Sequence, residues 1–318
     1  MGAWQEIVDY TVPSNTTQVD FTGLNITKDD FIKVFINGNL GSYELYAENV
    51  LTTTNYYNQM IQADASSITA SRFNTPRIYL AGTGGASAFG YIKLSENNKL
   101  NAFFNNTVFD SSSIRNRPTY MTSTSSFTSG INTLNFIAES ADLINSRIQI
   151  YKLKAEKVAD VLVNSNTTQV DITGLDIKKG DEYLLVSDIN NNTSNGGGFN
   201  LYVNNNTTAS NYYSQRVRGA GSSADANRYT DAIMTRMAGN NRGIAYSHIK
   251  LSNIGAYTSQ NYSLIHYGTS ILEIGNYFVS STSENISSIK QLNIVREVAT
   301  IIGNETRFQL YKLYEGGN

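Results

Sequence analysis

The chain contains itself twice, and that duplication limits its folds more than any other feature. Ser14-Asn-Thr-Thr-Gln-Val-Asp-Phe-Thr-Gly-Leu-Asn-Ile26 recurs at Ser165–Ile177 with 11 of 13 positions identical, an offset of 151 residues. Thr54-Asn-Tyr-Tyr-Asn-Gln59 recurs as Ser210-Asn-Tyr-Tyr-Ser-Gln215, and Ile92-Lys-Leu-Ser95 as Ile249-Lys-Leu-Ser252. Ile148-Gln-Ile-Tyr-Lys-Leu153 recurs as Phe308-Gln-Leu-Tyr-Lys-Leu313, by which point the offset has grown to 160. The order is kept, so the second copy differs by small loop insertions. A unit of about 150 residues is too long for a solenoid repeat and has the size of a whole domain with its own core. The reading is therefore two domains, 1–154 and 155–318, joined at the charged stretch Lys154–Lys157.

Each copy patterns as β-structure. Trp4, Val8, Tyr10 and Val12 alternate with polar residues, the period of a half-buried strand. Phe31–Ile36 is apolar on both faces and runs into Asn37-Gly38-Asn39, which predicts a hairpin. Further strands are predicted at Gln18–Phe21, Arg77–Leu80, Phe89–Leu94, Leu134–Ile137 and Ile148–Leu153. Tyr43, Leu45 and Ala47 share one face, as do Phe199, Leu201 and Val203. Many short strands with Asn/Gly/Ser turns predict an all-β chain of two tandem homologous β-sandwich, jelly-roll-like domains. The last strand of copy one runs almost directly into copy two. That suits a fold whose first and last strands are neighbours.

Composition excludes several chemistries. Cysteine is absent from the 318 residues, which removes disulfides and thiolate metal sites. A net charge of −2 with 16 % charged residues gives no electrostatic reason to expect nucleic acid or anionic membrane as a partner. Met1–Glu6 has neither the basic nor the apolar region of a secretory leader, and no run approaches a membrane-spanning length.

The remaining motifs fall short of a catalytic site. Gly82–Gly90 lacks both the spacing of a dinucleotide fingerprint and the Lys-Ser/Thr ending of a P-loop, and reads as a turn. The Asn190–Gly198 loop has only Asp188 as a nearby carboxylate, too little for a tight Ca²⁺ site. Asp29-Asp30 and Asp181-Glu182 occupy equivalent places but are adjacent in sequence. Adjacent acids point to opposite faces, so the reading is a solvated turn and not a glycosidase pair. The only histidines, His248 and His266, have no counterparts in copy one. We predict no enzymatic activity, no cofactor and no metal.

The repeated Asn-Tyr-Tyr carries the candidate contact residues. One tyrosine of Tyr56/Tyr57, and one of Tyr212/Tyr213, should enter the core while its neighbour faces out. An outward tyrosine near Gln59 or Gln215, and near Arg72 or Arg228, would stack on a sugar or anchor a protein interface. Copy two also concentrates Arg216, Arg218, Arg228, Arg236 and Arg242 in one segment, which copy one does not. That segment is the predicted docking side.

The pieces Leu45–Gln59, Ala63–Arg72, Phe89–Ser95, Ile131–Ala141 and Ile148–Leu153, with their second-copy equivalents, resemble a domain of tailed-bacteriophage virion structural proteins. The second-copy equivalents are Leu201–Gln215, Gly219–Arg228, His248–Ser252, Ile289–Thr300 and Phe308–Leu313. The resemblance implies a β-sandwich virion component, made in the bacterial host cytoplasm, without enzymatic activity. Within that class the chain reads as an exterior capsid decoration, auxiliary or head-fibre subunit acting by protein–protein assembly. Its partners would be other virion proteins of the capsid or tail, and a homo-oligomer, most simply a trimer, is expected. The alternative is a tail appendage or adhesin that binds a host surface glycan. No trimeric shaft of heptads or β-helix repeats occurs, which favours the first.

Overall fold

The computed structural model describes residues 3–38, 41–63, 67–80, 85–110, 113–139, 143–220, 222–237, 239, 241–267, 270–283, 285–297 and 300–314. The strands of copy one are β1 (Trp4–Thr11), β2 (Gln18–Phe21), β3 (Ile32–Gly38), β4 (Gly41–Ala47), β5 (Tyr56–Ala63), β6 (Ile68–Phe73) and β7 (Arg77–Leu80). They continue as β8 (Ala86–Leu94), β9 (Lys99–Asp110), β10 (Ser113–Asn116), β11 (Thr119–Ser126), β12 (Leu134–Ala138) and β13 (Arg147–Leu153). Copy two begins with β14 (Glu156–Leu162), β15 (Gln169–Ile172), β16 (Ile177–Lys178), β17 (Glu182–Asn191), β18 (Gly197–Val203), β19 (Tyr212–Ala220) and β20 (Ser223–Tyr229). It ends with β21 (Ile233–Met237), β22 (Asn241–Leu251), β23 (Tyr257–Tyr267), β24 (Ser270–Ser281), β25 (Ser288–Ile289), β26 (Leu292–Arg296) and β27 (Arg307–Tyr314). The chain is all-β, and no helix among the described residues is long and apolar enough to cross a membrane.

Two compact units hold the two copies: Trp4–Lys154, grouped with Gly219–Ala224, and Ala155–Arg218 with Asp225–Asn318, grouped with Met1–Ala3. In the first, a large antiparallel sheet runs β1-β13-β3-β8-β9. β10 and β11 then lie one after the other between β9 and β5, and β6 pairs with β5. A smaller sheet, β2-β12-β4-β7, packs on it. The second unit has the same order, β14-β27-β17-β22-β23-β24-β19-β20 over β15-β26-β18-β21. The continuous β24 fills the place that β10 and β11 share in copy one. There the strand breaks at Pro118, which has no N–H to give the ladder. First and last strands pair in both units, β1 with β13 and β14 with β27.

Each core lies between its two sheets. Ile32, Val34 and Ile92 of the large sheet meet Leu45, Leu134 and Phe136 of the small one in copy one. Leu185, Ile249 and Leu310 meet Leu201, Leu292 and Ile294 in copy two. Side chains of this size contribute about 1.5–3 kcal/mol each when removed from water.

Three sequence readings need correction. The Asn37–Asn39 signal is not a hairpin: β3 pairs with β13 and β8, while β4 belongs to the small sheet. Asn39 itself lies outside the described residues. At Gly38 a Cβ would meet Tyr43 Oη at 2.5 Å and Ser146 Oγ at 2.7 Å. The glycine therefore leaves room for the Tyr43–Ser146 hydrogen bond of 2.8 Å, which ties the small sheet to the β12–β13 connection. In the Gly82–Gly90 run, residues 82–84 lie outside the described residues and Ala86–Gly90 are strand, not turn. A Cβ at Gly90 would collide with the Phe103 carbonyl and the Phe104 ring, so this glycine serves strand packing. Finally, the equivalent acids are Asp30 and Asp181, not Asp29 and Asp181. Their carboxylates accept the Thr27 and Lys178 backbone N–H groups, each at 2.9 Å. Asp181 is 2 % exposed and so is not a solvated turn residue.

The repeated thirteen residues encode a polar clamp. Buried Asn135 on β12 donates to Asp20 Oδ1 and Asn49 Oδ1, both at 2.8 Å, and accepts from the Asn49 N–H at 3.1 Å. Buried Asn293 on β26 repeats the arrangement with Asp171 at 2.7 Å, and with Asn205 at 2.8 Å and 2.9 Å. Asn49 and Asn205 are left-handed, with φ of 56° and 58°. Asparagine adopts that conformation more readily than most residues. Gln18 and Gln169 in turn donate to Asp20 and Asp171 at 2.9 Å and 2.8 Å.

Asn135→Ala or Asn293→Ala removes three part-buried hydrogen bonds at once, and should cost about 1–3 kcal/mol in urea unfolding. A second test uses the edge pair Asp160–Arg307, bonded twice at 2.8 Å. The Arg307 hydrogen bond holds the Asp160 carboxyl well below the usual carboxylate range. The resulting stabilisation is complete above the unfolded-chain value of about 3.9 and is lost as pH falls toward the lower folded value. Asp160→Asn should therefore lower the unfolding midpoint at pH 7, and the gap to the parent protein should narrow as pH falls below about 4.

Candidate functional site

The Asn-Tyr-Tyr motif resolves the same way in both copies. Its first tyrosine turns inward. The Tyr56 hydroxyl accepts the Ala47 N–H at 3.1 Å, and the Tyr212 hydroxyl accepts the Val203 N–H at 3.2 Å. Each inward ring meets a second tyrosine edge-on, Tyr46 or Tyr202, with centroids 5.2 Å apart. Burial pushes the Tyr56 phenol up to about 12 and raises Tyr212 as well. Tyr56 and Tyr212 are thus core residues and leave the set of candidate contact residues.

The second tyrosine faces outward, and here the copies differ. Tyr213 is 53 % exposed and lines a depression of about 430 Å³ with Ser214, Gln215, Arg228, Phe278 and Ser280. The volume falls within the ordinary range for small-ligand sites. Three adjacent strands build it: β24 supplies Phe278 and Ser280, β19 supplies Tyr213, Ser214 and Gln215, and β20 supplies Arg228. Phe278 is 55 % exposed, so two aromatic side chains of one depression meet water. The sequence reading brought Tyr213, Gln215 and Arg228 together but missed Phe278. Its signal was the Tyr277-Phe278-Val279 run, in which strand alternation forces the middle ring outward.

At the equivalent place copy one has no such shelf among the described residues. Tyr57 is half-buried, Gln59 is buried, and Arg72 is exposed opposite Gln59. The register Tyr91–Phe103–Tyr120 matches His248–Gln260–Phe278, so Tyr120 is the counterpart of Phe278. Tyr120 is buried and packs against Phe103 with centroids 4.5 Å apart. The outer face of copy one instead gathers rings around Lys33, whose Nζ lies 4.8 Å from the centroids of Trp4 and Phe35. Burial lowers the Lys33 ammonium pKa.

In the Arg216–Arg242 segment, the predicted docking side, four of the five arginines pair with acids. Arg216 is buried and reaches Asp225 at 2.9 Å, and Arg218 Nε donates to the same carboxylate at 2.8 Å. Burial alone would raise Asp225, but Arg218 and Arg216 more than offset it and hold the group below its ordinary value. Arg236 pairs with Glu297 at 3.2 Å and, like Arg216, sits over the Tyr229 ring. Arg242 donates to Asp188 at 2.7 Å. That bond engages Asp188, while at the other end of the Asn190–Gly198 loop the Glu297 carboxylate accepts the Gly198 N–H at 2.8 Å. Arg228 is exposed and has no acidic partner among the described residues. His248 meets Tyr262 edge-on at 6.4 Å, and the His266 side chain lies outside the described residues. No group of three or more His, Cys, Asp and Glu among the described residues is placed to hold a metal ion.

No known protein-family model matches the chain, and no curated protein matches it. Among solved structures it is similar to the crystal structure of the LG1–3 region of the laminin alpha2 chain, at 13 % identity and a TM-score of 0.22. That match covers 89 % of this chain, which spans 62 % of the laminin structure. A second similarity is to domains LG4–5 of the mouse laminin alpha1 chain, at 7 % identity and a TM-score of 0.16, covering 97 % of each chain.

Truncation separates the paired tyrosines. Tyr212→Ala should cost about 3–5 kcal/mol in urea unfolding, as for other buried aromatics. Tyr213→Ala should change stability by less than about 0.5 kcal/mol, as for an exposed surface residue.

Proposed function

We propose that this chain is a non-catalytic binding protein that holds a glycan on the outer face of its second copy. The observation carrying this reading is the pair of half-exposed rings, Tyr213 and Phe278, set beside Gln215, Ser280 and Arg228 in one shallow depression. Sugar rings present apolar C–H faces and polar rims. Flat aromatic faces ringed by amide and hydroxyl groups complement both. Among the described residues no acid lines the site, and Asp225 and Asp231 of the neighbouring segment are engaged by Arg218 and Tyr202. This is the adhesin alternative of the sequence reading.

The setting, the exterior of a tailed-phage virion, is supported by the sequence resemblance alone. One observation favours a second role there. Phe35, partly exposed on copy one, meets Tyr151 edge-on at 5.8 Å and lies 6.4 Å from Phe89, an aromatic patch suited to docking on another virion protein. The predicted trimer belongs to this second role. Imaging virions that carry a labelled subunit tests it, and label absent from the particle surface would end it.

A glycan array probed with the full chain tests the binding role. Binding should appear, and Tyr213→Ala and Phe278→Ala should each weaken it about tenfold without moving the melting midpoint, since tenfold corresponds to the loss of roughly one stacking contact. An array without signal, or signal indifferent to both variants, would refute it.

A further inference from the structure

The charge pairing around the shelf singles out a class of sugar. Between residues 216 and 242 the chain carries five arginines. Four are committed: Arg216 and Arg218 to Asp225, Arg236 to Glu297, and Arg242 to Asp188. The acids of the same segment are committed too. Asp225 takes two guanidinium groups. Asp231 accepts the Tyr202 hydroxyl at 2.5 Å, Asn200 at 3.1 Å and the Ala232 N–H at 2.8 Å. What remains is Arg228, exposed and without an acidic partner among the described residues. It is also the one charged side chain among the described residues lining the depression.

A single uncompensated guanidinium at the edge of an aromatic shelf makes the local potential positive, although the whole chain is −2. Its planar fork suits a carboxylate or sulfate, which it grips through two parallel hydrogen bonds. Tyr213 and Phe278 offer ring faces to the sugar, with Gln215 and Ser280 at hydrogen-bonding positions along the rim. In copy one the counterparts of Gln215 and Phe278 are buried, so the equivalent Arg72 has no open shelf beside it.

We propose that the second copy selects an acidic saccharide, with its ring on Tyr213 and Phe278 and its anionic substituent on Arg228. This rests on the glycan reading above and narrows it.

Calorimetric titration of the full chain tests the selection. The probes are an oligogalacturonate, its carboxyl-reduced counterpart, and a sulfated galactose oligomer that distinguishes sulfate from carboxylate. At least one acidic probe should bind about tenfold tighter than the neutral one, the size of one charge-assisted contact, and the advantage should shrink as salt rises. Arg228→Gln should erase the advantage while leaving the melting midpoint unchanged. Arg228→Lys should keep part of it, because charge survives but the fork is lost. Equal binding of acidic and neutral probes, untouched by Arg228→Gln, would overturn the acidic selection and leave glycan binding in place. No binding of any probe would overturn both.

Discussion

Each small sheet hangs on one buried amide. Asn135 and Asn293 are the second residues of β12 and β26, fully buried on the sheet face opposite the core residues Leu134 and Phe136 or Leu292 and Ile294. They reach sideways to an aspartate on one neighbouring strand and to the turn after the other. The cost of burying an amide is offset because its N–H₂ and its carbonyl both find partners. The clamp also fixes the left-handed residue pairs Glu48–Asn49 and Asn204–Asn205. Those turns set where the chain enters the segment leading to Asn-Tyr-Tyr. The inward tyrosine then bonds the backbone of the last residue before the turn, Ala47 or Val203. Clamp, turn and tyrosine form one unit, which accounts for the survival of these particular residues in both copies.

Much of this was legible because duplication marks what the fold needs. The Val-Asp pair of β2 and β15 recurs since its aspartate receives the clamp, although its partner asparagine, more than a hundred residues away, could not be found by pattern alone. β9, β10 and β11 were invisible for a different reason. Their buried positions, on both faces, include Asn101, Asn106, Thr119 and Thr122. Asn106, for one, is satisfied by the Arg117 carbonyl and Thr119, each at 2.7 Å. A polar core strand breaks the alternation on which strand detection depends. The arginine segment marks another limit, since sequence counts charges but does not show which of them have found each other across strands.

The two copies share their interior and differ on their outer faces. Tyr120 and Phe278 occupy one register position, the first buried and the second half in water. The Asn-Tyr-Tyr motif therefore has a structural half that is constant and an outward half that is free to specialise. A binding site built this way stands on rigid, paired strands, with its rings held by backbone ladders rather than by a loop.

The near-identity of β2 and β15 also has a cost during synthesis. Either strand carries the aspartate that either asparagine would accept, so β2 could dock on β26, or β15 on β12, with every local bond satisfied. Only chain connectivity and timing discriminate between the native and exchanged pairings. Copy one can close β1 against β13 once Leu153 has left the ribosome, before β26 and β27 exist. Vectorial emergence thus acts as the proofreading step that the sequence omits. Refolding the whole chain from denaturant, where both halves compete at once, exposes it to strand-exchanged traps and to swapping between molecules.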